Sequence, residues 1–310
     1  MGKRADGLGF GQRAARDFKI NKGLYLMVLP VIAYYVIFHY KPMYGAIIAF
    51  KDFNPLLSIA KSPWVGFEHF SDFFSGYYFW RTLKNTLVIS VNTLVFGFPA
   101  PIIFALLLNE LRNRYFKRTV QTITYMPHFI SLIVICGMIK EFTMDAGAIT
   151  QFLGFFGFGK STLLYKPGAF VPIYVLSEIW QQVGWESIIY LAALSSIDLE
   201  QYEAAAIDGA GRWKQMIHVT LPGIMPTVMV LLILRVGRLL SVGYEKIILL
   251  YNPAIYQTAD VISSFVYRKG LQEFNWSYAS AVGIFNSVIN LTLLIIANWL
   301  SKKTNKHSLW

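Results

Sequence analysis

The chain has 310 residues, of which 55% are hydrophobic and only 15% are charged, and its net charge is +11. Soluble domains carry about 25% charged residues, so this composition excludes an ordinary soluble protein. Apolar runs recur along the chain, each close to the roughly 17–25 residues that a helix needs to cross ~30 Å of hydrocarbon. The sequence therefore predicts an all-α membrane protein.

Six membrane spans are predicted, at about 24–40, 83–108, 120–140, 169–193, 221–242 and 278–300. An even number of spans places both ends of the chain on one side of the membrane. The first span follows a basic tail and shows no small-residue cleavage site after it, which favours a retained anchor over a signal peptide.

Basic residues are densest in the two tails and in the links after spans two and four. They are Lys3, Arg4, Arg13, Arg16, Lys19, Lys22, Arg112, Arg114, Lys117, Arg118, Arg212, Lys214, Lys302, Lys303 and Lys306. Lysine and arginine collect on the cytoplasmic side of membrane proteins. We therefore expect a chain of the cell membrane, with a cytoplasmic tail over 1–23, a transmembrane domain over 24–300 and a cytoplasmic tail over 301–310. The positive charge then requires no nucleic acid partner.

Two longer segments, 41–82 and 243–277, lie on the outer side in this topology. The first is rich in aromatic residues, among them Trp64, Phe67 and Trp80. Such a surface suits either the lipid interface or a docking partner, and the sequence leaves both interpretations open.

The outer loop between spans three and four contains GFFGFGKST, from Gly154 to Thr162. Its spacing fits a phosphate-binding P-loop, but that motif needs a long helix after it, and Pro167 and Gly168 stop one. We predict no nucleotide site here and therefore no ATPase site in this chain.

Other signs of catalysis or cofactor binding are also missing from the sequence. The five histidines lack metal-ligand spacing such as HExxH, no GxSxG motif occurs, and Cys136 stands alone in an apolar run. We therefore expect no enzyme activity, no metal and no cofactor in this chain.

The most informative stretch lies between spans four and five, from Ser195 to Pro226, and reads SSIDLEQYEAAAIDGAGRWKQMIHVTLPGIMP. Asp198 and Gln201 form a helix N-cap pattern, and Gly209 ends the short helix that this cap begins. A second helix is expected to begin near Gly211, and Pro222 suits the first turn of span five. The pattern predicts a helix-turn-helix elbow on the cytoplasmic face, over 195–222, which in many membrane proteins is only a connection.

These residues resemble the EAA loop of permeases in binding-protein-dependent ABC importers, in which EAA is followed by DGA and later by LP. In that family a short coupling helix in the loop sits in a groove of the ATPase subunit. The matching positions are Glu203, Ala204, Ala205, Asp208, Gly209, Ala210, Leu221 and Pro222. Met216 stands where the family often has an aromatic residue.

Further segments resemble the complex-oligosaccharide branch of these permeases. They are KPMYGAIIAFKDF from Lys41, SPWVGFEHF from Ser62, GYEKIILLYNPAIYQTADVISSFVYRKG from Gly243 and FNSVIN from Phe285. The resemblance implies a type I importer fold. It also implies a second, related permease chain in a heterodimer, two cytoplasmic ATPase subunits, an extracellular solute-binding lipoprotein and surrounding membrane lipid. A permease for a non-sugar solute and an ion-driven secondary transporter are the alternatives.

Polar residues inside spans are costly and usually face a cavity or one another. The candidates for a substrate pathway are Asn85, Asn92, Glu178, Gln182, Trp185, Arg235, Arg238, Asn286 and Asn290, with Gln181 and Glu186 beside them. They could instead be structural, with Glu178 or Glu186 neutralising an arginine and the amides tying helices together. If they line a pathway, the two arginines favour an acidic sugar chain, because guanidinium binds carboxylate with two hydrogen bonds.

Overall fold

The computed structural model describes residues 10–157 and 161–305, and the predicted basic residues Lys3, Arg4 and Lys306 lie outside them. The regular structure of the described chain is helical apart from one isolated β-bridge, between Lys51 and Trp64, which confirms the all-α prediction. Its main helices are α1 (Phe10–Ile20), α2 (Lys22–Phe50), α3 (Phe79–Glu110), α4 (Arg114–Phe129), α5 (Leu132–Gly154), α6 (Pro167–Ser195), α7 (Leu199–Ile207), α8 (Arg212–Val236) and α9 (Trp276–Asn305).

Four helices of the described chain are long and apolar enough to cross a membrane: α2, α3, α8 and α9. The bent pair α4 and α5 gives a fifth span if it is counted as one. The predicted fourth span, α6, has 29 residues but is not among the helices that meet this measure. The structure therefore supports several spans, and the number six stays a prediction.

The predicted third span differs from a single straight helix. The helices α4 and α5 meet at an angle of 101°. Pro127 tightens the end of α4 into a 3₁₀ turn, Ile130 is extended, and Ser131 caps the start of α5 by accepting a hydrogen bond from the Val134 amide. Hydropathy runs through this break without interruption, so it could not reveal the bend.

The central helix of the bundle is α6. In its N-terminal half, Phe170 and Tyr174 pack with Ile89 of α3, Ile135 of α5 and Ile247 of the segment after α8. In its C-terminal half, a second buried cluster joins α6 to α3 and α8: it comprises Ala105, Tyr190, Leu194, Ile224 and Val228. The polar residues of α6 are therefore held between α3, α5 and α8.

Outside the bundle core, two outer regions fold onto α3 and α9. Phe73, from a helix spanning Glu68–Ser75, packs with Phe79 of α3 and Val282 of α9. Ile262 and Phe265, from a helix spanning Ile262–Tyr267, join the same cluster. We call residues 244–272, which the predicted topology places on the outer side, the outer segment.

Close packing between α6 and α4 depends on Gly184. A Cβ atom on Gly184 would overlap the carbonyl of Thr124, which is backbone and cannot rotate away. We expect Gly184→Val to separate the two helices and to destabilise the protein by about 1–3 kcal/mol, the usual cost of overpacking. Thermal unfolding of the purified variant measures this. Gly137→Val is the control, because a Cβ there meets nothing within 4 Å; equal unfolding temperatures for the two variants would contradict the prediction.

Candidate substrate pathway and cytoplasmic elbow

A small polar cavity lies between α3, α6 and the end of α8. Its volume is about 200 Å³, and its wall includes Ser90, Glu178, Arg235, Arg238 and Ser241. The structure thus brings together three of the predicted pathway residues, Glu178 and both arginines, although they lie far apart along the chain.

A larger cavity, of about 490 Å³, adjoins the first and shares both arginines with it. Trp185, Glu186 and Tyr190 of α6 line its other side. Arg235 donates to Glu186 across 3.3 Å, whereas Arg238 is an exposed residue whose guanidinium makes no hydrogen bond or ion pair with the described residues. Of these two arginines, Arg238 is the one available to a ligand. We call the two cavities together the arginine cavity.

Trp185 is held in place by a residue that the sequence did not single out. The ring of His128, at the end of α4, stacks on the indole with ring centres 4.3 Å apart and planes within 3°. The Nδ1 atom of His128 also lies 2.9 Å from Oε1 of Gln182. His128, which contacts Gln182, therefore fixes the position of the Trp185 ring. Because the stacked residues lie on different helices, no local sequence pattern predicts this contact.

The two glutamates of α6 have different partners. Glu186 pairs with Arg235, as one of the structural interpretations expected. Glu178 instead accepts from Lys246 across 2.8 Å, and the lysine side chain is only 4% exposed. Lys246 was not among the predicted residues, because the sequence places it in an outer loop.

The predicted asparagines do not share one wall. Asn85 donates to the carbonyl of Asp260, and Asn92 donates to the carbonyl of Val88 in its own helix. Asn290 accepts from the Leu240 amide and donates to Ser241, so it ties α9 to the end of α8. Asn286 lines a separate outer cavity. Four residues predicted for one pathway are thus divided between structural bonds and a second site.

A buried ion cluster fixes the outer segment to α3. Asp260 is fully buried and accepts from Arg81 at 3.0 Å and from Arg268 at 2.7 Å. Burial works to lower the pKa of Arg268, but hydrogen bonds and charge interactions with Asp260 and Tyr251 together outweigh it and raise that pKa above the ordinary value. Ser264 donates to the same carboxylate, so Asp260 has a donor on each oxygen.

The elbow over 195–222, which the predicted topology places on the cytoplasmic face, has the helix-turn-helix form that its residues predict. The Asp198 carboxylate accepts from the Glu200 amide and begins α7, and Gly209 has a φ of +76°, which favours glycine. The second helix starts at Arg212 and, unlike the expected arrangement, runs on through Pro222 as α8. Turns of π-helix at Met216–Thr220 precede the proline and accommodate its missing N–H.

The elbow is bonded to α8, but the face of the elbow that points away from the rest of the chain is uncovered. The Tyr202 hydroxyl lies 3.0 Å from that of Thr220, and the Gln215 amide donates to the Ala210 carbonyl. No residue of α7 is buried; Ile207 is 87% exposed and Trp213 is 74% exposed. Glu203 is exposed and makes no hydrogen bond or ion pair with the described residues.

The remaining positions of the loop motif lie on this elbow. Ala204, Asp208, Gly209 and Pro222 are exposed, and Ala205, Ala210 and Leu221 are half-buried.

Part of the sequence pattern GFFGFGKST lies outside the described residues, at 158–160. On either side of this gap, Gly157 has a φ of +84° and Thr162 donates to Asp145. A single 3₁₀ turn, Leu163–Tyr165, separates Thr162 from the helix that begins at Pro167. The described part of the pattern therefore does not open directly into a helix.

Comparison with known proteins identifies the class. Residues 97–306 match the family described as "Binding-protein-dependent transport system inner membrane component". The chain belongs to this family and is a membrane-embedded transport subunit.

Two relatives from Bacillus subtilis (strain 168) match nearly the whole chain. It is 44% identical to Protein LplB, over 98% of this chain and 95% of LplB. It is 43% identical to the polygalacturonan/rhamnogalacturonan transport system permease protein YteP, over 94% of this chain and 91% of YteP.

Solved structures agree with the sequence comparison. The chain is similar to one chain of a bacterial ABC transporter involved in the import of the acidic polysaccharide alginate, with a TM-score of 0.87 and 44% identity. The match covers 94% of this chain and 99% of that one. A chain of a bacterial alginate ABC transporter in complex with an alginate pentasaccharide-bound periplasmic protein matches with the same TM-score, 43% identity, and coverage of 95% and 99%.

Proposed function

We propose that this chain is a permease subunit of an ATP-driven type I importer that moves an acidic oligosaccharide from an external binding protein into the cytoplasm. The observation that carries the acidic class is the arginine cavity, in which Arg238 is exposed and unpaired within the described chain. A free guanidinium binds a carboxylate through two parallel hydrogen bonds. The alginate and polygalacturonan transport proteins that the chain resembles support the same class.

Within this proposal the chain crosses the membrane six times, over 24–300, with both tails in the cytoplasm. The basic residues of the tails and of the elbow then lie on the cytoplasmic side, where such residues collect. The outer segment and the aromatic segment 41–82 lie on the opposite side and face the binding protein.

A second permease chain follows from the exposure of the first span. The apolar window of α2 has 0% of its residues buried, and only its outer end, Tyr44–Phe50, reaches α9. A helix without a partner in its own chain packs against lipid or another chain.

The elbow is the proposed contact with the ATPase. Glu203 and the exposed apolar side chains of Ile207 and Trp213 offer the mixture of charge and apolar surface that protein interfaces use. The bond between Tyr202 and Thr220 joins this surface to α8. A movement of the ATPase against the elbow is thereby passed to α8, which carries Arg235 and ends at Val236, two residues before Arg238.

The proposal is tested with the complete transporter in vesicles. ATP hydrolysis is measured with binding protein loaded with uronate-containing or neutral oligosaccharide of equal length. We expect stimulation by the acidic oligomer, and expect Arg238→Gln to weaken its transport about ten- to hundredfold, because a hydrogen bond to a charged group contributes about 1.5–3 kcal/mol. Arg238→Lys should retain part of the transport of the acidic oligomer, since lysine keeps the positive charge but cannot form two parallel hydrogen bonds with a carboxylate.

The control is Arg112→Gln, which removes the same charge from an exposed position outside the arginine cavity. Equal transport of acidic oligomers by Arg238→Gln and by the wild type would refute the acidic class. Stimulation by a non-sugar solute alone would show that the transported substrate is not a sugar. Transport that continues without the ATPase subunits would indicate an ion-driven carrier. Arg235 is a poorer test, because its removal leaves Glu186 unpaired.

A further inference from the structure

An aromatic cavity lies between the outer segment, the outer end of α2 and α9, apart from the arginine cavity. Its volume is about 550 Å³, and its wall includes Tyr244, Tyr267, Trp276, Ser280 and Asn286. Tyr244 and Tyr267 stack on each other with ring centres 5.4 Å apart. Cavities of this size, lined by aromatic rings with a few polar groups, are the usual form of small-molecule sites.

One polar atom in this cavity lacks a partner. The Oδ1 atom of Asn286 is buried and accepts no hydrogen bond from the described residues. Asn290, one turn further along the same face of α9, uses both ends of its amide within the protein. A buried acceptor without a donor is unfavourable, so Asn286 points to a donor that is not part of this chain.

The aromatic cavity is a neighbour of the arginine cavity. Val242 and Gly243 line the arginine cavity, and the next residue, Tyr244, lines the aromatic cavity. Consecutive Cα atoms are only about 3.8 Å apart, and Ser263 of the aromatic cavity donates to the Val242 carbonyl at 2.6 Å. One short stretch of backbone separates the two cavities.

We infer that the aromatic cavity binds one sugar ring of the transported oligosaccharide, as an outer subsite next to the arginine cavity. The C–H face of a pyranose ring is apolar and packs on aromatic rings, and a sugar hydroxyl bonds to the Asn286 amide, which lines this cavity and makes no hydrogen bond with the described residues. A lipid acyl chain would fill the volume but leave the amide oxygen unsatisfied. This inference rests on the proposed function and specifies how an oligosaccharide longer than one cavity is held.

Chain length provides the first test. In vesicles containing the complete transporter, Asn286→Leu should raise by about threefold or more the concentration of a long oligosaccharide that gives half-maximal transport, the effect of one lost hydrogen bond. Transport of a disaccharide should change much less, because a short ligand occupies the arginine cavity alone. Tyr267→Leu should act in the same direction.

The matched controls lie outside the cavity: Ser287→Ala on the same helix and Tyr165→Leu in an exposed turn. Both should transport long and short oligomers as the wild type does. An equal effect of Asn286→Leu on long and short oligomers would overturn the subsite.

Cysteine labelling provides a test that does not depend on transport. The chain has one cysteine, Cys136, which is buried. Ser280→Cys places a reactive thiol in the wall of the aromatic cavity, and its labelling by a maleimide in the assembled transporter is followed on this chain by mass spectrometry. We expect a long oligosaccharide to slow the labelling and a disaccharide to have little effect.

Labelling that no oligosaccharide alters would show that lipid or a neighbouring chain occupies the cavity, and would overturn the inference. The two proposals fail separately. If the wild-type transporter is not stimulated by any oligosaccharide, the proposed function is wrong. If it is stimulated, but neither Asn286→Leu nor the labelling of Ser280→Cys depends on oligomer length, only the subsite is wrong.

Discussion

Glu203→Arg is expected to give a folded, membrane-inserted protein that does not hold its ATPase. Glu203 lies on the exposed face of α7 and has no partner among the described residues, so its replacement costs the isolated chain little. In the assembly, the variant places a positive charge against the ATPase groove that the family resemblance implies, where a basic residue would pair with Glu203. Loss of a buried interfacial charge pair costs about 2–5 kcal/mol, which weakens the association at least about thirtyfold.

The measurement is co-purification of the ATPase subunits with the tagged permease, followed by uptake in vesicles. Glu110→Arg is the control, because it makes the same change of charge at an exposed position near the end of α3. The control should keep its ATPase. Normal co-purification and uptake with Glu203→Arg would show that the elbow is a connection between helices and not the docking site.

The elbow could be predicted in detail because its signals are local. Asp198 caps the helix that follows it, and Gly209 adopts the positive φ that ends that helix, within a dozen residues of each other. The bend between α4 and α5 was missed, because apolar residues continue across it. Pro127 and Ser131 carried a local signal for the break, but a search for spans by hydropathy does not use it.

The sites themselves depended on contacts between distant parts of the chain. Arg235 on α8 and Arg238 in the turn after it were visible as charges in an apolar run, but the lysine that pairs with Glu178 lies in the outer segment. Stacking of His128 on Trp185 depends on the bend that brings the end of α4 against α6. No periodicity of a single helix contains such information, since it is a property of how helices pack.

Asp260→Leu is expected to release the outer segment from α3. The change removes a buried carboxylate and leaves Arg81 and Arg268, whose side chains are only 25% and 19% exposed, without their shared counter-charge. Breaking a buried ion pair on one side costs about 3–5 kcal/mol. The segment should become sensitive to trypsin near Arg268 and Lys269, and the unfolding temperature of the transporter should fall.

Glu273→Gln is the control in the same segment. It removes the partner of Lys269 in an exposed pair, and such pairs contribute only about 0–1 kcal/mol, so trypsin sensitivity should hardly change. Asp260→Asn separates charge from shape, because an amide still accepts from Ser264 but no longer balances two arginines. Trypsin resistance and thermal stability equal to the wild type in Asp260→Leu would contradict the role of this cluster.

The two variants should damage opposite ends of the protein. Asp260→Leu should keep its ATPase, because the elbow lies at the other end of α8, yet lose uptake, since Lys246, Tyr244 and Tyr267 all lie on the released segment. Glu203→Arg should keep a trypsin-resistant outer segment and lose the ATPase. If Asp260→Leu also releases the ATPase, the outer segment and the elbow are not independent of each other. In that case α8 couples the two ends rigidly.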